Sequence, residues 1–164
     1  MSESRPPESS PREYLTWGYI SSLCEIICVK MSRIPFKPIG IIAVSRGGLV
    51  PAAIIANKLG IRDVHVLAIQ SYEDIVSKII LDKVPKAQPL YPLFVPDIPY
   101  KGHLFLVVDD ICDSGATQAF IRETWPIAMR ACLVVKTPPR LAGTPHIAGA
   151  YRPQGQWIVF PWEE

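Results

Sequence analysis

The sequence predicts an α/β fold, a parallel twisted sheet flanked by helices. Three observations predict it. Short apolar runs alternate with helical periods at the spacing of βαβ units. Two loops of unusual composition, 45–48 and 109–117, follow directly on apolar runs, beyond the carboxyl ends of strands where such sheets bind ligands. A chain of 164 residues, 49% hydrophobic and 20% charged, has room for one core and not two.

The elements follow in order. Residues 1–12 carry three prolines and no large apolar side chain beyond Met1, and are expected to be a disordered tail before a single domain over 13–164. Thr16 can cap a helix from Trp17 to about Met31, because Ile20, Leu23, Ile27 and Met31 recur at intervals of three and four. Cys24 and Cys28 share a face of that helix and, with no second ligand pair nearby, read as buried small hydrophobes. Ile39 to Val44 reads as a buried strand, Ser45 to Gly48 as a turn, and Leu49 to Leu59 as a helix with Pro51 in its first turn and Gly60 at its end. Val64 to Ile69 is a second strand, in which His65 reads as structural. Residues 73–100 mix charge with five prolines from Pro85 to Pro99 and are expected to form a flexible lid. His103 to Val108 is the most apolar strand, followed by the second loop and a helix ending near Trp125; Ala131 to Val135 is a further strand.

Composition excludes several functions. Seventeen Lys and Arg against fifteen Asp and Glu give a formal charge of +2, too balanced for a dedicated nucleic-acid binder. No run approaches the roughly 18 apolar residues of a transmembrane helix, and the polar start lacks a signal-peptide core. Four scattered cysteines do not make a disulfide framework, so a reducing, cytoplasmic setting is expected.

The chemistry lies in residues 107–117. An apolar strand ends in Asp109 and Asp110, then Asp113, then the small residues Ser114, Gly115, Ala116 and Thr117 at the start of a helix. Small residues at a helix N-terminus make an anion cradle suited to phosphate. Two adjacent acids beside it suit sugar hydroxyls or Mg²⁺, so the loop reads as a site for a sugar phosphate. It is neither a Walker A loop nor a dinucleotide fingerprint. Cys112 stands between carboxylates, which raise a thiol pKa, so it is not read as a nucleophile.

The run Val107-Val-Asp-Asp-Ile-Cys-Asp-Ser-Gly-Ala-Thr117 resembles the signature for 5-phosphoribosyl 1-diphosphate (PRPP) of the type I phosphoribosyltransferases. Val44 to Pro51 resembles the pyrophosphate loop of the bacterial xanthine-guanine branch. Ser71-Tyr72, Lys136, Trp157-Ile158 and Pro161-Trp162 match it further, so the resemblance spans about Tyr14 to the end. It implies the type I fold with a small terminal hood over about 136–164. It also implies that Ser45, Arg46 and Gly47 bind pyrophosphate through a cis peptide, and that Arg46 serves catalysis. Asp109 and Asp110 would hold the ribose hydroxyls directly or through Mg²⁺. Residues Asp113, Ser114, Gly115, Ala116 and Thr117 would cradle the 5′-phosphate. Asp113 would face the purine and act as general base, Lys136 would reach its 6-oxo oxygen, Trp157 would stack on the ring, and the Ile158 carbonyl would meet an exocyclic group.

The reaction so implied is Mg²⁺-dependent purine salvage: PRPP and guanine, xanthine or hypoxanthine give the nucleoside 5′-monophosphate and pyrophosphate. A homodimer or homotetramer is expected. Val159, where relatives usually carry an acid, and a longer lid depart from the pattern and leave the preferred purine open. A PRPP-responsive regulator without turnover and a phosphoribosyltransferase for a non-purine base are the alternatives.

Overall fold

The computed structural model describes residues 11–35, 37–70, 88–89, 105–126, 128–137 and 144–163. Strands β1 (Arg12–Tyr14), β2 (Gly40–Ser45), β3 (Asp63–Gln70), β4 (Gln88–Pro89), β5 (Phe105–Cys112), β6 (Met129–Thr137), β7 (Ile147–Pro153) and β8 (Trp157–Val159) accompany helices α1 (Trp17–Ser32), α2 (Leu49–Leu59) and α3 (Ala116–Thr124). Six strands form one sheet in the order β4-β3-β2-β5-β6-β7. Its five longer strands run parallel, and β4 pairs antiparallel with β3.

The side-chain alternation of β5 divides the core. Leu106 and Val108 face α1 and α2, whereas Phe105 and Val107 face α3 with Ile121. Helix α1 begins where the Thr16 side chain accepts a hydrogen bond from the Tyr19 amide. It buries Ile20, Leu23 and Ile27 almost completely, each worth about 1.5–3 kcal/mol of burial. Helix α2 ends at Gly60, whose φ of 68° is the left-handed conformation glycine tolerates. The chain leaves β2 toward β3 on one side, and β5 lies on the other. The carboxyl ends of β2 and β5 therefore flank a point where strand order reverses, and a crevice opens there.

The structure corrects three expected boundaries. Pro11 and Arg12, expected within the tail over 1–12, belong to the fold: the Pro11 carbonyl accepts a 2.9 Å bond from the Trp157 amide and Arg12 opens β1, while residues 1–10 lie outside the described residues. The strand expected to stop at Val108 continues to Cys112, since β6 goes on pairing with it through Cys112↔Val135. Part of the segment 136–164 expected as a hood belongs to the main sheet. Lys136 belongs to β6, and β7 is the edge strand of the main sheet, in a region whose Gly and Pro content masks it. What stands apart from the main sheet is the parallel pair β1–β8, sharing Leu15, Ile158 and Phe160 with the core beneath α1. The expected lid over 73–100 lies outside the described residues except Gln88–Pro89, as do Ser71 and Tyr72. No helix among the described residues is long and apolar enough to cross a membrane.

Candidate active site

A cavity of about 270 Å³ opens at the strand-order reversal, lined by residues 44–47 and 109–118. Both loops singled out from the sequence therefore wall one space. The Ser45–Arg46 peptide is cis, and the Ser45 hydroxyl donates to the Leu67 carbonyl at 3.4 Å. Gly47 lies so close to Asp110 that a Cβ there would stand 1.7 Å from Oδ2. Only a residue without a side chain lets this loop reach the β5 carboxylate.

Asp109 and Asp110 are neighbours on β5, both line the cavity, and their carboxyl groups lie within hydrogen-bonding reach of each other. Asp110 faces the 45–47 loop and accepts the Ile111 amide at 2.7 Å. Asp109 faces α3, where Gln118 hydrogen-bonds to it. Burial pushes the Asp109 carboxyl well above the ordinary range, reinforced by the charge of Asp110. Burial likewise pushes Asp110 up to about 6, with Glu163 adding to the rise and the Ile111 amide opposing it. Two desolvated carboxylates lining the cavity fit a divalent cation, which favours hard oxygen donors and takes one or two carboxylates together with substrate oxygens.

At the far wall, Gly115 adopts φ 89° and starts α3. The left-handed turn lets the chain leave β5 and present the helix N-terminus to the cavity, where the dipole favours an anion. The Ser114 hydroxyl accepts the Ala116 amide at 3.3 Å. Asp113 lies outside that turn, about half exposed, with Lys136 Nζ 2.8 Å from its Oδ2. Lys136 itself is buried and stands 5.8 Å from the centre of the Trp157 ring. Three residues from separate places in the sequence thus form one cluster beside the 113–117 turn.

The Trp157 amide and the Val159 carbonyl both bond to the β1 side, to Pro11 and Leu15. Strand alternation then turns the Ile158 carbonyl to the opposite edge, while its side chain is buried in the core. Cys112 is buried, and desolvation pushes its thiol up to about 12. His65 pairs with Asp63 at 2.9 Å and packs edge-on to Phe105, as a structural residue does.

Three participants escape sequence reading. Gln118 is buried and gives its amide to Cys132 Sγ at 3.3 Å besides holding Asp109. Gln154 Nε2 donates to the Asp113 carbonyl at 3.1 Å. Glu13 is paired with Arg152. Glutamines carry no motif, and the Glu13–Arg152 pair spans 139 positions, beyond any local pattern.

The family model of the phosphoribosyl transferase domain matches residues 17–136. A xanthine-guanine phosphoribosyltransferase of Gluconobacter oxydans is 32% identical over 165 aligned positions, covering 99% of this chain and 91% of the relative. The crystal structure of a purine phosphoribosyltransferase from Pyrococcus horikoshii superposes with a TM-score of 0.68 at 29% identity, covering 93% of this chain and 95% of the other. A xanthine-guanine-hypoxanthine phosphoribosyltransferase of Helicobacter pylori, at 20% identity, shares the fold with a TM-score of 0.68 and 93% of each chain covered. A family match across most of the chain, a relative aligned nearly end to end and a cavity walled by both loops converge: this chain belongs to the phosphoribosyltransferases.

Proposed function

We propose that this protein transfers ribose 5-phosphate from PRPP to a 6-oxopurine, releasing pyrophosphate. The observation that carries the base assignment is the Asp113–Lys136–Trp157 cluster beside the anion cradle. An indole offers a broad face to a purine, a buried ammonium suits a 6-oxo oxygen that gains negative charge, and a half-exposed carboxylate can take a ring proton. The similarity to xanthine-guanine and purine phosphoribosyltransferases supports the same substrate class.

In this reading the 113–117 turn takes the 5′-phosphate with backbone amides and the helix dipole. Asp109 and Asp110 accept the ribose hydroxyls. Ser45, Arg46 and Gly47 face the pyrophosphate, where the Arg46 guanidinium offsets charge as the leaving group departs. The bond from the anomeric carbon to pyrophosphate oxygen breaks, a bond to a purine nitrogen forms on the opposite face, and the displaced ring proton goes to Asp113. Lys136 leaves Asp113 for the 6-oxo oxygen when the base enters, which frees the carboxylate for that proton. Ile158 offers its carbonyl to an exocyclic amino group. Mg²⁺ held by Asp110 and Asp109 would supply charge neutralisation for the pyrophosphate.

The test is a nucleotide-formation assay with PRPP and guanine, xanthine, hypoxanthine, orotate or nicotinate, with and without Mg²⁺. Monophosphate from at least one purine, lost on chelation and absent with orotate and nicotinate, is expected. Product from a non-purine alone, or from no base at all, overturns the proposal.

A further inference from the structure

The short pair β1–β8 carries Trp157 and Ile158, yet two strands of three residues do not hold themselves in place in water. The structure shows what fastens them. Arg152, at the end of β7, grips Glu13 of β1 with both arms of its guanidinium, Nε to Oε2 at 2.7 Å and Nη2 to Oε1 at 2.8 Å. The same Nη2 donates to the Tyr19 hydroxyl at 3.0 Å, and the guanidinium lies 5.7 Å from the Tyr19 ring centre. Glu13 Oε2 also accepts Gln156 Nε2 at 2.8 Å. Both side chains of the pair are about three-quarters buried, where a bidentate charged pair is strong and directional. One carboxylate thus holds the turn between β7 and β8 at both ends. At its tip, Gln154 reaches the Asp113 carbonyl. The turn leads directly into Trp157, and Glu13, Arg152, Gln154 and Gln156 all lie outside the 17–136 family match.

We propose that Glu13 is a positioning residue for the base site: through Arg152 and Gln156 it sets where Trp157 and Ile158 stand relative to Asp113, so that strand β1 governs how tightly the purine is taken. This rests on the reading of Asp113, Trp157 and Ile158 as the base site. The Glu13, Arg152 and Gln156 contacts involve neither the 45–47 loop nor the 113–117 turn, which the clamp meets at the Asp113 carbonyl through Gln154, so the base wall is displaced far more than the PRPP site.

The test uses Glu13→Gln, Arg152→Lys and Gln154→Met in the full chain. Glu13→Gln should raise KM for the purine about tenfold while KM for PRPP stays within about twofold, because the displacement falls mainly on the base wall. Arg152→Lys should share the defect, since a point charge cannot replace the fork, and Gln154→Met should show a smaller rise of the same kind. Equal rises in both KM values, or an unchanged purine KM, overturn the proposal. Hydrogen exchange in the ligand-free variants supplies a readout independent of turnover. Glu13→Gln should speed exchange of the Trp157 amide at least about tenfold while the β2 amides keep their rates. An unchanged Trp157 amide, or equal acceleration across β2, overturns the clamp. Wild-type protein that turns over no purine overturns the base assignment instead, and the exchange result still decides the clamp.

Discussion

Substituting Gly47 by Ala probes the contact on which the PRPP half of the site depends. Gly47 is not among the positive-φ glycines, so its backbone admits alanine and any effect is steric. The new Cβ would lie 1.7 Å from Asp110 Oδ2, 2.2 Å from Cγ and 2.6 Å from Oδ1, against a practical minimum of 3.0 Å. The carboxylate must therefore retreat by about 1.3 Å. It is short and buried, and its Oδ1 is tied to the Ile111 amide at 2.7 Å, so it cannot retreat without breaking that bond. A misplacement of about 1 Å in a positioning group can cost about 100-fold in rate, equivalent to about 2.7 kcal/mol of transition-state stabilisation. Initial rates with PRPP varied at saturating purine should show kcat/KM for PRPP reduced by about that factor, with the purine KM within about twofold of wild type. A melting curve on the same preparation checks the fold. A folded Gly47→Ala protein with kcat/KM for PRPP within about threefold of wild type would refute the contact's role.

Further outcomes follow from the same geometry. Asp113→Asn should lower turnover well before it affects PRPP binding, measured as kcat against the dissociation constant for PRPP; equal loss of both contradicts its role as base. Lys136→Met removes the ammonium paired with the Asp113 carboxylate while leaving the 114–117 turn intact. It should cost about 10²-fold in kcat/KM for the purine, and unchanged base kinetics would contradict the assignment. Burial holds the Cys24 and Cys112 thiols up at about 12, and all four cysteines are buried. Iodoacetamide at pH 8 should therefore leave activity intact until the protein unfolds, and modification of Cys112 in active protein would contradict this. The Arg152 guanidinium holds Glu13 below its ordinary carboxylate value, 4.5. An acid with a lowered folded pKa adds stability that is full above the unfolded value and disappears as pH falls through the folded one. The advantage of wild type over Glu13→Gln in denaturant midpoint should therefore be flat from pH 8 to 5 and shrink below about 4.5. An advantage that grows on acidification would refute the ion pair.

Local signals account for what the sequence made legible. Helix α1 was readable from Thr16 and the spacing of Ile20, Leu23 and Ile27, and α2 from Pro51 and Gly60, because caps and periodicity act within a few residues. Both loops of the cavity were readable because Asp, Ser and Gly after a buried strand have few purposes. The extension of β5 to Cys112 was hidden, since two acids look like the end of a strand; pairing with β2 stops at Val108, and pairing with β6 carries the chain onward. Strand β7 was masked by Gly149 and Pro153, although Ile147 and Ala148 are buried against β6. The Glu13–Arg152 clamp and the contact between Lys136 and Asp113 depend on tertiary proximity that no spacing rule encodes.

The central claim is that the turn after β5 holds a phosphate monoester with its amides while the β5 aspartates hold the ribose. A crystal structure with a purine nucleoside 5′-monophosphate tests it most directly. Phosphate oxygens should lie within hydrogen-bonding distance of the amides of residues 114–117, with ribose hydroxyls at Asp109 and Asp110 and the purine over Trp157. A phosphate seated on the 45–47 loop, or outside this cavity, would contradict it.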